Sequence, residues 1–283
     1  MPELGLRDIS DTARWVAMYR ARETERPDAL FRDPFARRLA GERGEQLLRL
    51  LARAGEGQSW PFVTRTVVVD RFIEDRVREG ADLVLNLAAG LDARPYRLAL
   101  PPSLRWVEID LPELLAHKED VLRDEKPVCA LERIALDLAD IEARRTVFAR
   151  LAREARSGLV VTEGLLIYLT PEQVGALAAD LATAEGLRQW VFDISSPGLK
   201  KMIEKQIGAH LSQAGAPLQF APEDGPAFFA PYGWEAEEVR SMIKEARRLG
   251  RLSPLLWLLS FLPDPKGRLG SRPWSGLCLM RRR

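Results

Sequence analysis

The pattern of apolar and polar positions changes character near residue 80. Before it, apolar residues recur at helical spacing. Trp15, Val16, Met18 and Tyr19 mark a first helix that Asp11 or Thr12 can cap. After Pro27, a second helix starts at Asp33-Pro34 and carries Phe35, Leu39, Leu47, Leu48 and Leu51. Residues 55–59 read as a loop. A third helix is predicted over 64–78, with Val67, Val68, Phe72 and Val77 set against Arg65, Asp70, Arg71, Glu74 and Asp75, and Gly80 ends it. Beyond that point short apolar runs alternate with helical segments. Strands are predicted at 82–87, 105–110, 131–136, 159–162 and 189–194. Helices are predicted at 114–123, 141–155 and 170–184, the last opened by Thr170-Pro171-Glu172-Gln173. This alternation predicts an α/β doubly wound fold, a mostly parallel sheet with helices on both faces. Further helices are expected at 200–213 and 236–248, and a final strand at 275–280. Ser253–Leu262 is apolar all round and reads as a buried helix, or else as the wall of a pocket or an oligomer interface.

The stretch from Asp82 to Leu98 organises the rest. Leu83, Val84, Leu85 and Leu87 form a strand buried on both faces, Ala88-Ala89-Gly90 a turn of small residues, and Leu91 onward a helix. In a doubly wound sheet such a turn lies at the carboxyl end of a central strand, where ligands bind. Only Gly90 is glycine, whereas a dinucleotide turn uses three to admit a pyrophosphate. A nucleoside ligand without phosphates at the turn fits better. The second strand, Trp106-Val107-Glu108-Ile109-Asp110, ends in an acid twenty residues beyond Gly90, the spacing at which a carboxylate meets a ribose hydroxyl.

Composition narrows the class without naming it. The 283 residues are 46% hydrophobic and carry 42 Lys+Arg against 41 Asp+Glu, so no net field draws the chain to nucleic acid or a membrane. Cys129 and Cys278 define neither a disulfide framework nor a metal cluster, and a reducing cytoplasm is the expected location. The start, MPELGLRDIS, lacks the apolar core of a signal peptide, and the apolar run 255–262 is too short to span a bilayer. His117 and His210 have no sequence partner and are expected at the surface, as is Arg97; Asp92 and Arg94 are expected to pair.

Five motifs then match one family together and in order: YRARETERPDALFRDPFARRLAG, NLAAGLDARPYRL, WVEIDLPE, ALDLAD and TEGLLIYLTPEQ. They resemble the leucine carboxyl methyltransferase family, in its bacterial branch of S-adenosylmethionine-dependent O-methyltransferases, some of which act on polyketide-type small molecules. The similarity runs over about residues 11–195 and fades over 196–274. It implies the class I methyltransferase sheet with a final antiparallel strand, N-terminal helices and a variable cap. The implied organisation is an N-terminal helical cap (1–80), an S-adenosylmethionine-binding core (81–195), a substrate-covering region (196–274) and the last core strand (275–283).

Site roles follow from the same resemblance. The turn Ala88-Ala89-Gly90 would face the methionine part of S-adenosylmethionine. Asp110 would take the ribose hydroxyls, Asp137-Leu138 would flank adenine, and Glu163 would lie beneath the methionyl amine. Arg65 would bond the carboxylate of the methionine or of the substrate, Tyr168 would border the substrate, and Arg20 would reach the cofactor from the first helix. Two departures stand out: Asn86 occupies a position where many methyltransferases have an acid, and Ala88 one where glycine is common in the family. No motif nominates a dedicated base, so a carboxylate acceptor is favoured over a phenol or alcohol, with Arg65 and Tyr168 as the catalytic pair. Phe228-Phe229 and residues 255–262 are expected to wall an apolar acceptor pocket, and residues 11–78 and 196–235 to close over the carboxyl edge of the sheet. A nicotinamide dehydrogenase and a non-catalytic cofactor-binding module are the rival readings. The missing glycines count against the first, and the intact cofactor handles against the second.

Overall fold

Three helices precede the sheet in the computed structural model, which describes residue 6 and residues 9–53, 59–265 and 267–283. Most of the loop expected at 55–59, and most of the N-terminal decapeptide, fall outside the described residues. Helix α1 (Ile9–Thr24) and helix α2 (Ala36–Arg53) cross closely, and α3 (Trp60–Arg78) begins four residues earlier than its apolar spacing indicates, with Pro61 in its first turn. Because α1 starts at Ile9, Asp11 and Thr12 sit inside its first turn rather than capping it; Asp11 pairs with Arg43 of α2 instead. The α1–α2 crossing is tightest at Gly44. A Cβ there would lie 2.7 Å from Ala40 Cβ, 2.9 Å from Met18 Cγ and 3.0 Å from Arg14 O. Gly→Ala ordinarily favours a helix by about 1 kcal/mol, but here overpacking should reverse the sign. Gly44→Ala is expected to cost about 1–3 kcal/mol in a urea titration; a gain would show the crossing to be slack.

The alternating elements are β1 (Leu83–Leu87), α4 (Arg94–Arg97), β2 (Arg105–Asp110), α5 (Pro112–Val121), β3 (Ala130–Ala135), α6 (Ile141–Glu154), β4 (Gly158–Thr162), α7 (Pro171–Thr183) and β5 (Leu187–Ser195). They are followed by α8 (Pro197–Gln213), β6 (Trp234–Ser241), α9 (Met242–Arg248), α10 (Pro254–Leu259) and β7 (Ser275–Arg282). The seven strands are ordered β3-β2-β1-β4-β5-β7-β6. β1 to β5 pair in parallel, and β7 is antiparallel to both of its neighbours, as expected for the last strand. Strand alternation sorts the core onto two faces. Leu83, Leu85, Leu87 and Val160 pack with Phe148 of α6 and Leu177 of α7. Val84, Trp106, Val161 and Val191 pack with Phe72 of α3 and Met242 of α9. A third cluster joins α1, α2, α5 and α8.

Four expectations are corrected. Residues 236–248 are not one helix: 234–241 form the edge strand β6, whose Glu235, Glu237, Glu238 and Arg240 keep a sheet edge charged, and only 242–248 are helical. Helix α10 is not buried; Leu255, Leu258 and Phe261 in and beside it are 68%, 64% and 57% exposed. Phe229 is fully buried against Trp190 and Phe192, and Phe228 packs on Phe220 and Phe229, so this pair fills the sheet core rather than walling a pocket. The helix after Gly90 is one turn, α4, because Pro101-Pro102 follow closely and the residues before it form a turn.

Candidate functional site

The strands β1, β2, β4 and β5 end on a common edge, and a cavity of about 1060 Å³ opens there. It is lined by the carboxyl ends of these strands and by α1, α3, α8 and α10. Every sequence-nominated residue lines it: Arg20, Arg65, Ala88, Ala89, Gly90, Asp110, Asp137, Leu138, Glu163 and Tyr168. The helices on either side of the sheet in sequence therefore meet over the turn. Leu199, Ile203, Ile207 and Leu218 of the 196–235 segment wall the cavity, whereas Phe220, Phe228 and Phe229 lie in the core.

The turn is held in a conformation its sequence does not favour. Ala88 adopts φ 50° and Gly90 φ 53°. A non-glycine residue in the left-handed region costs about 1 kcal/mol, and such strain gathers at ligand sites. Asp110 fixes the turn: its Oδ2 accepts from Gly90 N at 2.6 Å and its Oδ1 from Leu111 N at 2.7 Å. Each oxygen keeps a second lone pair. Burial pushes the Asp110 carboxyl above its usual value, against the backbone N–H groups of Gly90 and Leu111 and the charge of Lys118. A buried acid locked by two amides, at the cavity wall, is a donor-seeking site.

Beneath it, Lys118 Nζ is fully buried 2.8 Å from Glu108 Oε1, and Arg133 Nε lies 3.0 Å from Glu108 Oε2. This ion triad ties α5 to β2 and β3 and so fixes the strand that ends in Asp110. On the far side of Asp110, Asp137 is exposed and folds its Oδ1 back onto Ala139 N at 2.9 Å. Leu138 O accepts from Arg144, which is clamped by Asp180.

The opposite wall is a chain of buried ion pairs. Arg65 Nε donates to Glu163 Oε1 at 3.0 Å and Nη1 to Asp193 Oδ2 at 3.2 Å, while Asp193 Oδ1 accepts from Gly164 N at 2.6 Å. Arg94 donates to Asp70 at 2.6 Å and to Asp92 at 2.8 Å, and its Nη2 lies 2.8 Å from Glu163 Oε2. That last contact lacks hydrogen-bond alignment, so Glu163 Oε2 is a buried acceptor without a hydrogen-bond donor. Arg97 completes a fork on Asp70 at 2.7 and 2.8 Å, and its side chain is 3% exposed, not on the surface as expected. Asp92 also accepts from Asn86 at 2.9 Å. Arg20 donates to Asp33 at 2.9 Å and to Leu91 O at 2.6 Å, so it braces the turn from α1. Burial raises the Glu163 carboxyl, but Arg94 and Arg65 outweigh it and hold it below the usual range. Burial pushes the Tyr168 hydroxyl up, keeping it a neutral donor despite nearby Arg65. Tyr19 stacks on Phe62 at 4.7 Å, and the Arg65 guanidinium lies 5.6 Å over the Phe62 ring, which positions Arg65 from behind.

Asp193, Asp70 and Asp33 were not nominated from sequence. A signal existed for Asp193, since it stands near the end of a predicted strand as Asp110 does. Nothing local marks Asp70 or Asp33, whose partners are 24 and 13 residues away. His117 is half-buried, its Nε2 3.1 Å from Arg14 Nη1 and 3.0 Å from Leu39 O. His210 is half-buried in α8, and neither histidine lines the cavity.

Comparison with known proteins assigns the chain. The model of the leucine carboxyl methyltransferase family matches residues 13–182. The chain belongs to the leucine carboxyl methyltransferase family. A relative from Streptomyces coelicolor, provisionally named as an S-adenosyl-L-methionine-dependent methyltransferase, is 32% identical over 243 residues, covering 80% of this chain and 82% of its own. A Frankia alni relative with the same provisional name is 32% identical over 240 residues, covering 80% and 82%. The fold is also that of a crystal structure of a duf574-family protein from Streptomyces avermitilis, with TM-score 0.61 at 12% identity, covering 96% of this chain and 97% of that one. The family member is thus an S-adenosylmethionine-dependent methyltransferase on a class I sheet.

The residues present fit this cofactor. It carries a ribose diol, an amino-acid zwitterion and a cationic sulfonium. Asp110 offers lone pairs for a diol, and the Glu163 carboxylate, which lines the cavity, offers negative charge for an ammonium.

Proposed function

We propose that the enzyme methylates a carboxylate oxygen of a small apolar molecule. One observation carries this reading: the acceptor side of the cavity presents a cation and a neutral hydroxyl, Arg65 and Tyr168, and the two carboxylates beside them, Glu163 and Asp193, are already engaged by Arg65. Glu163 is held ionised and weakly basic by Arg94 and Arg65. A carboxylate needs no proton removed at neutral pH, whereas an alcohol or phenol does.

In this reading Asp110 takes the ribose hydroxyls, Asp137 and Leu138 flank adenine, and Ala88-Ala89-Gly90 lets the methionine part approach the backbone. Glu163 receives the ammonium of the zwitterion, Arg65 is kept for the acceptor, and Arg20 supports the turn rather than meeting the cofactor directly. S-adenosylmethionine supplies an electrophilic methyl group. The chain's part is to align the acceptor oxygen with it and exclude water, and such positioning contributes several kcal/mol. Residues 1–80 act as helical cap, 81–195 as cofactor core, 196–274 as acceptor cover and 275–283 as the closing strand.

One observation favours a hydroxyl acceptor instead. Glu163 and Asp193 already engage Arg65, so an acceptor carboxylate would be a third anion at the same guanidinium. Product chemistry separates the two readings. A panel of apolar acids should yield base-labile methyl ester, read as methanol after alkali, with rates flat between about pH 6 and 8, above the ordinary carboxyl range. Alkali-stable ether from a phenol panel, with no ester from acids, would replace the carboxylate reading by the hydroxyl one.

A further inference from the structure

The mouth of the cavity is built from residues that soluble proteins usually hide. Met202 of α8 and Leu259 and Leu262 of the α10 region all line the cavity, yet are 43%, 43% and 49% exposed. Leu256 and Leu259 lie one turn apart on α10, and Leu262 follows in the turn after the helix; all three line the cavity. Beside them, Leu255, Leu258 and Phe261 continue the apolar surface outward.

This mouth lies away from Asp110 and the small-residue turn. Asp110 and the turn stand over β2 and β1. Helix α8 follows directly on β5, and the α10 segment leads into β7, which pairs with β5. β2 and β5 are three strand spacings apart in the sheet, about 14 Å. A cofactor seated on Asp110 leaves this end of the cavity to the acceptor. An acceptor confined to the interior would need no apolar rim, and a contiguous exposed apolar patch marks a binding surface.

We infer that the acceptor, its reactive end at Arg65 and Tyr168, carries a hydrocarbon tail that leaves the cavity between Met202 and the leucines Leu256, Leu259 and Leu262. The assignment of the reactive end rests on the carboxylate reading above; the tail site rests on the mouth alone. A tail is favoured over a second copy of the chain because the exposed apolar rim is continuous with the less exposed walls Leu199, Ile203 and Ile207, so one ligand can occupy both.

The probes are straight-chain acids from butanoate to dodecanoate, below their micelle concentrations, titrated calorimetrically into the S-adenosylhomocysteine-loaded enzyme. Each added methylene should tighten binding about fourfold until the mouth is filled, from the ordinary value of about 0.8 kcal/mol per buried methylene. The double variant Leu259→Ser/Leu262→Ser changes exposed positions and should fold. It should flatten the chain-length series while binding S-adenosylhomocysteine as before. The matched n-alkanols separate the two inferences. A chain-length series with alkanols but not acids keeps the tail site and overturns the carboxylate end. Acids that bind with no dependence on length overturn the tail site and leave the carboxylate end standing. Dissociation of a dimer by the double variant, with no chain-length series in either form, assigns the α10 face to a second copy and also overturns the tail site.

Discussion

Arg94→Ala is expected to remove about 3–5 kcal/mol of folding stability, the largest effect of any substitution at the site. Breaking a buried ion pair from one side leaves uncompensated charge. Arg94 serves three carboxylates at once, on α3 (Asp70), the turn (Asp92) and the end of β4 (Glu163), at 2.6–2.8 Å. The loss is a large share of the 5–15 kcal/mol typical of a domain. Urea denaturation followed by circular dichroism measures it, and a loss under about 1 kcal/mol would mean that Arg97, Arg65 and Asn86 suffice without Arg94. Arg94→Lys keeps the charge but not the three-way fork, so it should fall between wild type and alanine.

The same contacts set an acid limit. Asp92 and Glu163 are both pushed up by burial and pulled further down by their arginines, so each titrates below its unfolded value. Their contribution is complete above the unfolded carboxylate range, about pH 4–4.5, and is lost as pH falls through the lower folded values. Arg94→Ala should therefore flatten the acid limb of the stability curve as well as lower its plateau.

Asp110→Ala should weaken S-adenosylhomocysteine binding by about 1.5–3 kcal/mol, roughly tenfold to 150-fold, the usual worth of a hydrogen bond to a charged group. Calorimetry reads it directly. Because Asp110 also holds Gly90 N and Leu111 N, alanine alone confounds ligand contact with turn geometry. Asp110→Asn keeps an acceptor for one amide but opposes the other with an N–H donor and loses the charge, so it should bind less tightly than wild type and give up part of the turn's stability. An unchanged dissociation constant in both variants would remove Asp110 from the cofactor site. Binding of NAD in place of S-adenosylhomocysteine is not expected, since the turn offers a single glycine and Ala88 narrows it.

Much of this protein is written locally. The small-residue turn between a buried strand and a polar segment, and the acid twenty residues on at the end of the next strand, placed Gly90 and Asp110 together before any fold was considered. Glu163 was marked by the family resemblance, and the cap at Thr170 forms the full capping box with Gln173. These features are legible because backbone geometry within a βα unit fixes them, with no distant partner needed.

Other features answered to contacts that sequence spacing cannot reveal. Residues 234–241 carry a helix-like mixture of charges, yet β7 offers them an open edge, and antiparallel pairing with it overrides local preference. Phe228 and Phe229 read as pocket wall until Trp190 and Phe192 are seen to need them in the core. The apolar stretch 253–262 reads either as a buried helix or as a pocket wall, and the path of the chain from β5 to β7 decides between them by setting Leu256, Leu259 and Leu262 on the cavity. Arg94 reads as a local partner of Asp92, and Arg97 as a surface residue. Their function as a clamp across α3, β4 and the turn depends on Asp70 and Glu163, residues 24 and 69 positions from Arg94, brought within reach because a buried charge must find its partners wherever the fold supplies them.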